Sequence, residues 1–244
     1  MRTLPFLTLL AVATVACDQE SATDPSLRAD GYANAADAAA RTYDITIENL
    51  TSGQPLSPGV VVAHSKQVSL FARGTTASEG IRLIAEQGNP ATALANLTGA
   101  AGVFQVTGTM APVHRIGGPG PSTLTTQIAA AANADRLSLA VMLICTNDGF
   151  AGLDAVKLPG GLEPATFYAM AYDAGTEVND ETSTSIVDPC FAIGPVSADG
   201  DGDSRTAEGG VVGMHAGIGG GADLDPSLHG WSGPIARVTV RRVK

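Results

Sequence analysis

The sequence predicts an all-β protein, an antiparallel β-sandwich with a short helical excursion and long Gly-rich loops. Three observations predict it. About seven short segments are apolar or alternate apolar with polar residues, the period of a half-buried strand. Glycine and proline, 29 and 14 residues, punctuate those segments. One segment, Leu137 to Cys145 ("LSLAVMLIC"), is apolar on both faces and belongs at the centre of a sheet. Many short strands between such turns, with one small helical insertion, make a sandwich.

The elements follow in order. Tyr43 to Leu50, "YDITIENL", is a strand: Tyr43, Ile45 and Ile47 face one way, Asp44, Thr46 and Glu48 the other. "TSGQPLSPG" turns, and Val60 to His64, "VVVAH", is a second strand. "TTASEGIRLIAEQG" is a short helix. It has Ser or Thr near its start, Ile81, Ile84 and Ala85 on one face, and Gly88 as its stop. Pro90 opens a further helical turn, "PATALANL". Val103 to Gly108, Ser122 to Ile128, Leu137 to Cys145, Phe167 to Tyr172 and Ile235 to Val240 are the remaining strands. The last alternates and is expected near the domain's rim. Ala192 to Gly230 is Gly-rich and without period, and a loop that long in a compact domain is usually functional or partly disordered.

The N-terminus reads as an export signal. Arg2 supplies a positive end, and Leu4 to Ala16 is an apolar run of 13 residues, too short to span a bilayer as a stable helix. "TVAC" resembles a bacterial lipoprotein cleavage box with Cys17 as the lipidated residue, although Thr14 stands where Leu is usual. Plain secretion is the alternative. Residues 1–17 are therefore expected to be leader, 18–41 a flexible tether rich in Ala, Asp and Ser, and 42–244 one folded domain. No later segment is long and apolar enough to cross a membrane. With Cys17 lipidated, Cys145 and Cys190 remain. In an oxidising compartment such a pair forms a disulfide, worth about 3–4 kcal/mol; two separate buried thiols are the alternative.

Of the 244 residues, 44 % are hydrophobic and 16 % charged, enough apolar surface for a core and little sign of widespread disorder. The net charge of −10 repels phosphate backbones, so nucleic acid is not an expected partner. An acidic balance alone specifies no metal site. "AMAYDAGTEVND", however, sets Asp173 and Glu177 four residues apart at the end of a strand. Two buried like charges repel and are each costly to desolvate, so they face water or share a cation.

Together, "YDITIENLTSGQPLSPGVVVAH", "ASEGIRLIAEQG", "LICTNDGFAGLDAV", "AYDAGTEVND" and "HGWSGPIARVTVRR" resemble the spondin domain. It is found in the animal matrix proteins F-spondin and mindin and as a stand-alone domain in secreted bacterial proteins. The resemblance runs from Thr42 to Val243. It implies an antiparallel β-sandwich that binds one calcium ion at one end. By the family's pattern the ligands fall on Asp148 in "CTNDGF" and on Asp173 and Glu177 in "YDAGTE", where animal members have Asp in place of Glu177. Calcium takes six to eight oxygens, so three carboxylates suit it, and the cation offsets their repulsion. The resemblance further implies a non-enzymatic role in adhesion or recognition of a surface protein or glycan. The thrombospondin repeats of the animal proteins are absent here. A structural subunit of an envelope assembly is another reading, and the expected location is extracytoplasmic, by lipid anchor or secretion.

Other patterns are weaker. Asp199, Asp201 and Asp203 begin like an EF-hand loop, but Ser204 replaces the needed Gly and Gly210 stands at the twelfth position. Asn147 and Asp154 flank the expected calcium site, as a carbonyl donor and as a ligand or loop cap. His215, Asp223, Asp225 and His229 offer the ligand types of a metal-dependent hydrolase, without a tight ligand motif. "GIGGGA" imitates a dinucleotide fingerprint but lacks its strand and βαβ context.

Overall fold

A computed structural model describes residues 40–193 and 205–243. Residues 1–39, with Cys17, and the loop of Asp199, Asp201 and Asp203 lie outside the described residues. The strands are β1 Arg41–Asn49, β2 Leu56–His64, β3 Val103–Gly108, β4 Thr123–Ala130, β5 Arg136–Leu143, β6 Gly149–Lys157, β7 Ala165–Asp173, β8 Gly213–Met214 and β9 Ala236–Arg242. Among the described residues three α-helices interrupt them: α1 Glu79–Gln87, α2 Ala91–Leu97 and α3 Pro226–His229.

All pairings between these strands are antiparallel, and the strands follow one path, β3-β2-β5-β6-β7-β9-β1-β4, with β8 added to β7. The protein is all-β, as the sequence predicts. Its two layers share β7. The first half of β7, Ala165 to Ala169, pairs with β9, and the second, Met170 to Asp173, pairs with β6. At the opposite side Gln105 Oε1 of β3 accepts the Ala129 N–H of β4 at 2.7 Å. The sandwich is therefore a nearly closed, barrel-like sheet, and β7 carries its C-terminal end into the site described below.

The main core lies between the layers. Tyr43, Ile45 and Ile47 of β1 meet Val61, Leu139 and Val238 there, all buried. The outer face of the β2–β5–β6 layer is covered as well, because Ile81, Ile84 and Ala85 of α1 pack on Val60, Val62 and Phe150. That second cover is why β2 and β5 read as apolar on both faces. Helix α1 has local start and stop signals. Ser78 Oγ accepts the Ile81 N–H at 3.3 Å, and Gly88, at φ 62°, closes the helix with its N–H on Ile84 O.

Two expectations are corrected. Strand β9 lies between β1 and β7, not at the rim. Its alternation marks a solvated outer face, where Arg237 pairs with Glu48 and Arg241 with Asp44. Strand β6 was not among the expected strands. Gly149, Gly152 and Asp154 break its alternation, yet Gly152 is required, since a Cβ there would stand 2.6 Å from the Phe71 ring. Cys145 and Cys190 form the expected disulfide, with Cα atoms 5.2 Å apart and both residues buried.

Candidate functional site

The chain gathers its acidic residues where β6 begins and β7 ends. Gly149 and Asp173 are register partners, so Asp148, one residue before β6, lies beside the end of β7. The Ala174 N–H donates to the Asp148 carbonyl at 3.1 Å and extends that pairing by one step. Gly175 then turns at φ 68°. Beyond it, residues 206–212 run back along the turn. The Glu208 N–H donates to Thr176 O at 3.1 Å, the Gly210 N–H to Gly175 O at 2.7 Å, and Glu177 bridges Ala207. A Cβ at position 175 would stand 2.5 Å from the Val211 nitrogen, so this close return requires glycine.

The outcome is a group of three acids. Carboxylate oxygens of Asp148, Asp173 and Glu208 lie within 4.8 Å of one another. Asp148 is fully buried. Its Oδ2 accepts the Thr176 N–H at 2.7 Å, the Thr176 hydroxyl at 3.1 Å and the Glu177 N–H at 3.0 Å. Its Oδ1 is buried with no hydrogen-bond partner among the described residues. Asp173 is half-buried and accepts the Gly175 N–H at 2.7 Å and the Asn179 amide at 2.6 Å. Burial first, and the Asp173 charge second, push Asp148 up to about 6; the Thr176 and Glu177 N–H groups offset part of that.

Of the acids named from the sequence, Asp148 and Asp173 come together. Glu177 is adjacent and buried, but its carboxylate turns to Arg205, with Oε2 3.2 Å from Arg205 Nε. The pair lacks hydrogen-bond alignment, so its attraction is Coulombic. Burial pushes Glu177 up to about 8, against the opposing pull of Arg205. Glu208 is the acid that sequence reading missed. It is exposed, and only the return of residues 206–212 brings it near the other two. No local pattern marks it.

The flanking residues have structural work. Asn147 donates to Asp180 at 3.0 Å and accepts the Glu181 N–H at 3.2 Å. Asp154 caps a loop, accepting the Leu70 N–H at 2.6 Å and the Ser69 hydroxyl at 2.8 Å. The residues of the hydrolase reading have separate partners. Asp223 accepts the Ser183 N–H, Asp225 caps α3, and the His215 ring lies edge-on to Trp231. A ring nitrogen of His229 instead lies within 4.8 Å of both disulfide sulfurs, and its Nδ1 accepts the Asp225 N–H at 2.9 Å. The glycine run gives the N–H groups of Gly219, Gly220 and Gly221 to the Glu181 carboxylate.

No described helix is long and apolar enough to cross a membrane. A family model described as Spondin_N matches residues 50–190, more than half of the chain and inclusive of Asp148, Asp173, Glu177 and both disulfide cysteines. No curated protein matches the chain in a sequence search.

Proposed function

We propose, from the premise that this chain belongs to the Spondin_N family, that it is a non-enzymatic, calcium-stabilised recognition domain working outside the cytoplasm. The supporting observations are that Asp148 Oδ1 is a buried carboxylate oxygen with no hydrogen-bond partner among the described residues and that a carboxylate oxygen of Asp148 is grouped with those of Asp173 and Glu208. A buried carboxylate with one oxygen left unsatisfied is costly, and two further carboxylates beside it raise that cost. A hard divalent cation removes both penalties, and carboxylate oxygen is the donor that calcium takes. Asp148 and Asp173 would hold the ion, with Glu208 as the third carboxylate. The ion supplies charge neutralisation and a crosslink between the β6 and β7 ends.

In this reading Cys17 carries a lipid that anchors the domain to a membrane, and the domain recognises a surface protein or glycan. The disulfide fits an oxidising compartment. Adhesion is an inference from the family, since a fold by itself hosts many functions.

The test is the melting temperature of the protein in calcium, in magnesium and in chelator. Binding to the folded state stabilises by about 2.7 kcal/mol at a hundredfold excess over Kd, a shift of several degrees at this size. A calcium-selective rise supports the site. Identical melting in all three, with metal analysis showing the chelated protein free of metal, overturns it.

A further inference from the structure

A cavity of about 270 Å³ lies between the start of β2, the end of α1, the segment after β3 and the segment before Cys190. Four prolines from these segments line it: Pro55, Pro58, Pro112 and Pro189. Leu56 and Ile144 are its buried apolar residues. The lining shares no residue with the acidic group.

Each wall is fixed by bonds of its own. Leu56 and Val113 exchange both backbone N–H···O bonds at 3.0 Å, which seats the Pro112 segment on the start of β2. The Ile144 N–H donates to the Pro55 carbonyl at 3.0 Å. The disulfide joins the residue after Ile144 to the residue after Pro189. The end of α1 presses on β2, since a Cβ at Gly88 would stand 2.8 Å from Ser57 Cβ. Proline has a fixed φ and no N–H, so these walls have little freedom to lose and few donors to offer. A preformed cavity of this kind costs little ordering when it is filled. Its polar groups divide in two. Ser57 Oγ is committed, donating to the Pro58 carbonyl at 2.6 Å and accepting the Met142 N–H at 3.0 Å. The side chains of Gln87, His114 and Asp188 make no hydrogen bond among the described residues. Asp188 is exposed and brings a carboxylate to the rim. Helix α1 ends there at Gln87 with no basic residue in its last turn, so its negative end adds to that carboxylate. Arg205 is engaged elsewhere, with the Glu86 carbonyl and Glu177.

We propose that this proline-walled cavity binds one aromatic side chain of a partner protein, with a Lys or Arg next to that side chain meeting Asp188 at the rim. The inference rests on the reading of the domain as a recognition module and names its partner's chemistry. The volume suits a single large side chain, since pockets for drug-sized ligands run from about 300 to 1,000 Å³. Aromatic anchors seated in desolvated pockets carry much of the energy of protein interfaces. A sugar would press its hydroxyls against proline rings that return no hydrogen bond, so the lining selects protein over glycan. The cation complements Asp188 and the end of α1, and a net charge of −10 steers a basic partner toward the domain. Met110, two residues before Pro112 and 90 % exposed, gives the same segment an adaptable apolar contact.

The experiment uses the full chain with Cys17→Ser and the disulfide intact, labelled at its methyl groups for NMR. The probe is the dipeptide Phe-Arg, acetylated and amidated at its ends. Blocked Phe-Glu, blocked Gly-Arg and a disaccharide of N-acetylglucosamine are the comparisons. Phe-Arg should shift the methyl signals of Leu56, Ile144 and Val187 and saturate them. Phe-Glu should move the same signals with an affinity lower by about fivefold, the size of an exposed charge pair. Gly-Arg and the disaccharide should leave them in place. Gln87 is exposed, so Gln87→Lys puts a cation at the rim without disturbing the core, and it should abolish the preference for Phe-Arg over Phe-Glu. Asp188→Asn should weaken that preference. Unmoved cavity methyls in Phe-Arg, equal binding of the two aromatic dipeptides, or binding of the disaccharide in their place overturns the proposal. The calcium-dependent melting shift, read on the same samples, separates this failure from that of the calcium reading. If the shift persists while Phe-Arg does not bind, the cavity is not the recognition site and the calcium-stabilised domain stands. If Phe-Arg binds and calcium has no effect, the cavity stands and the calcium reading falls.

Discussion

The Thr176 N–H donates to Asp148 Oδ2 at 2.7 Å, which ties the turn after β7 to the turn before β6. One oxygen of Asp148 serves the fold while the other has no partner among the described residues. A cation held there would brace both turns at once. Asp173→Asn keeps an oxygen to accept the Gly175 N–H but removes one negative charge from the group. It is expected to lower the melting temperature by several degrees in calcium and by much less in chelator. Equal losses in the two conditions would mean that Asp173 acts only through its hydrogen bonds.

The buried acids also give a pH signature. Glu177 is pushed up to about 8 in the folded chain, from an ordinary value near 4.5. The folded state therefore holds a proton that the unfolded state has lost, and stability falls as pH rises through that window. Asp148, pushed up to about 6, acts in the same direction at lower pH. His215 and His229 are lowered by burial and act oppositely below about pH 6.5. Between pH 6.5 and 8 Glu177 dominates. The metal-free melting temperature is expected to fall across that interval in the parent protein and to stay level in Glu177→Gln. Parallel slopes in the two proteins would show that Glu177 is already ionised.

The disulfide closes a segment of sequence separation 45 that contains β6, β7 and the acidic turn. A crosslink over that length limits the unfolded chain, and its loss from such a domain typically costs about 2–5 kcal/mol. Reduction should lower the melting temperature well beyond the effect of Asp173→Asn. Calcium should still produce a positive shift in whatever folded fraction remains, because the acids and the cysteines are separate groups. Loss of the calcium response on reduction would show instead that the crosslink positions the acids.

Anchoring is testable apart from the domain. Cys17→Ala removes the thiol that lipid would occupy, and the protein should move from the membrane fraction to the soluble extracytoplasmic fraction with its melting temperature unchanged. Equal membrane retention of parent and variant would rule out Cys17 as the anchor.

Local signals made much of the fold legible. The alternation of Tyr43, Ile45 and Ile47, and the Ser78 and Gly88 caps, are read from adjacent residues and describe β1 and α1 correctly. Strand β6 was illegible because Gly152 answers a distant partner, Phe71, which the chain does not announce. Alternation in β9 reports half-exposure, and half-exposure does not distinguish an edge strand from an inner one. The same limit applies to the acids. The spacing of Asp173 and Glu177 is local and visible, whereas Glu208 joins Asp148 and Asp173 only through the return of residues 206–212 past Gly175.

Glu208 and Glu177 therefore make opposite predictions. Glu208 is exposed and grouped with Asp148 and Asp173, so Glu208→Gln should remove most of the calcium-dependent rise and leave stability in chelator nearly unchanged. Glu177 is buried against Arg205, whose other end donates to the Glu86 carbonyl at 2.7 Å. Glu177→Gln alters the buried contact with Arg205 and leaves the grouped acids untouched, so it should shift stability in chelator while preserving the calcium response. Melting curves of both variants, each with and without calcium, decide the matter. If Glu177→Gln abolishes the response and Glu208→Gln spares it, the ion draws Glu177 away from Arg205. The ligand set is then Asp148, Asp173 and Glu177, as the family resemblance implies.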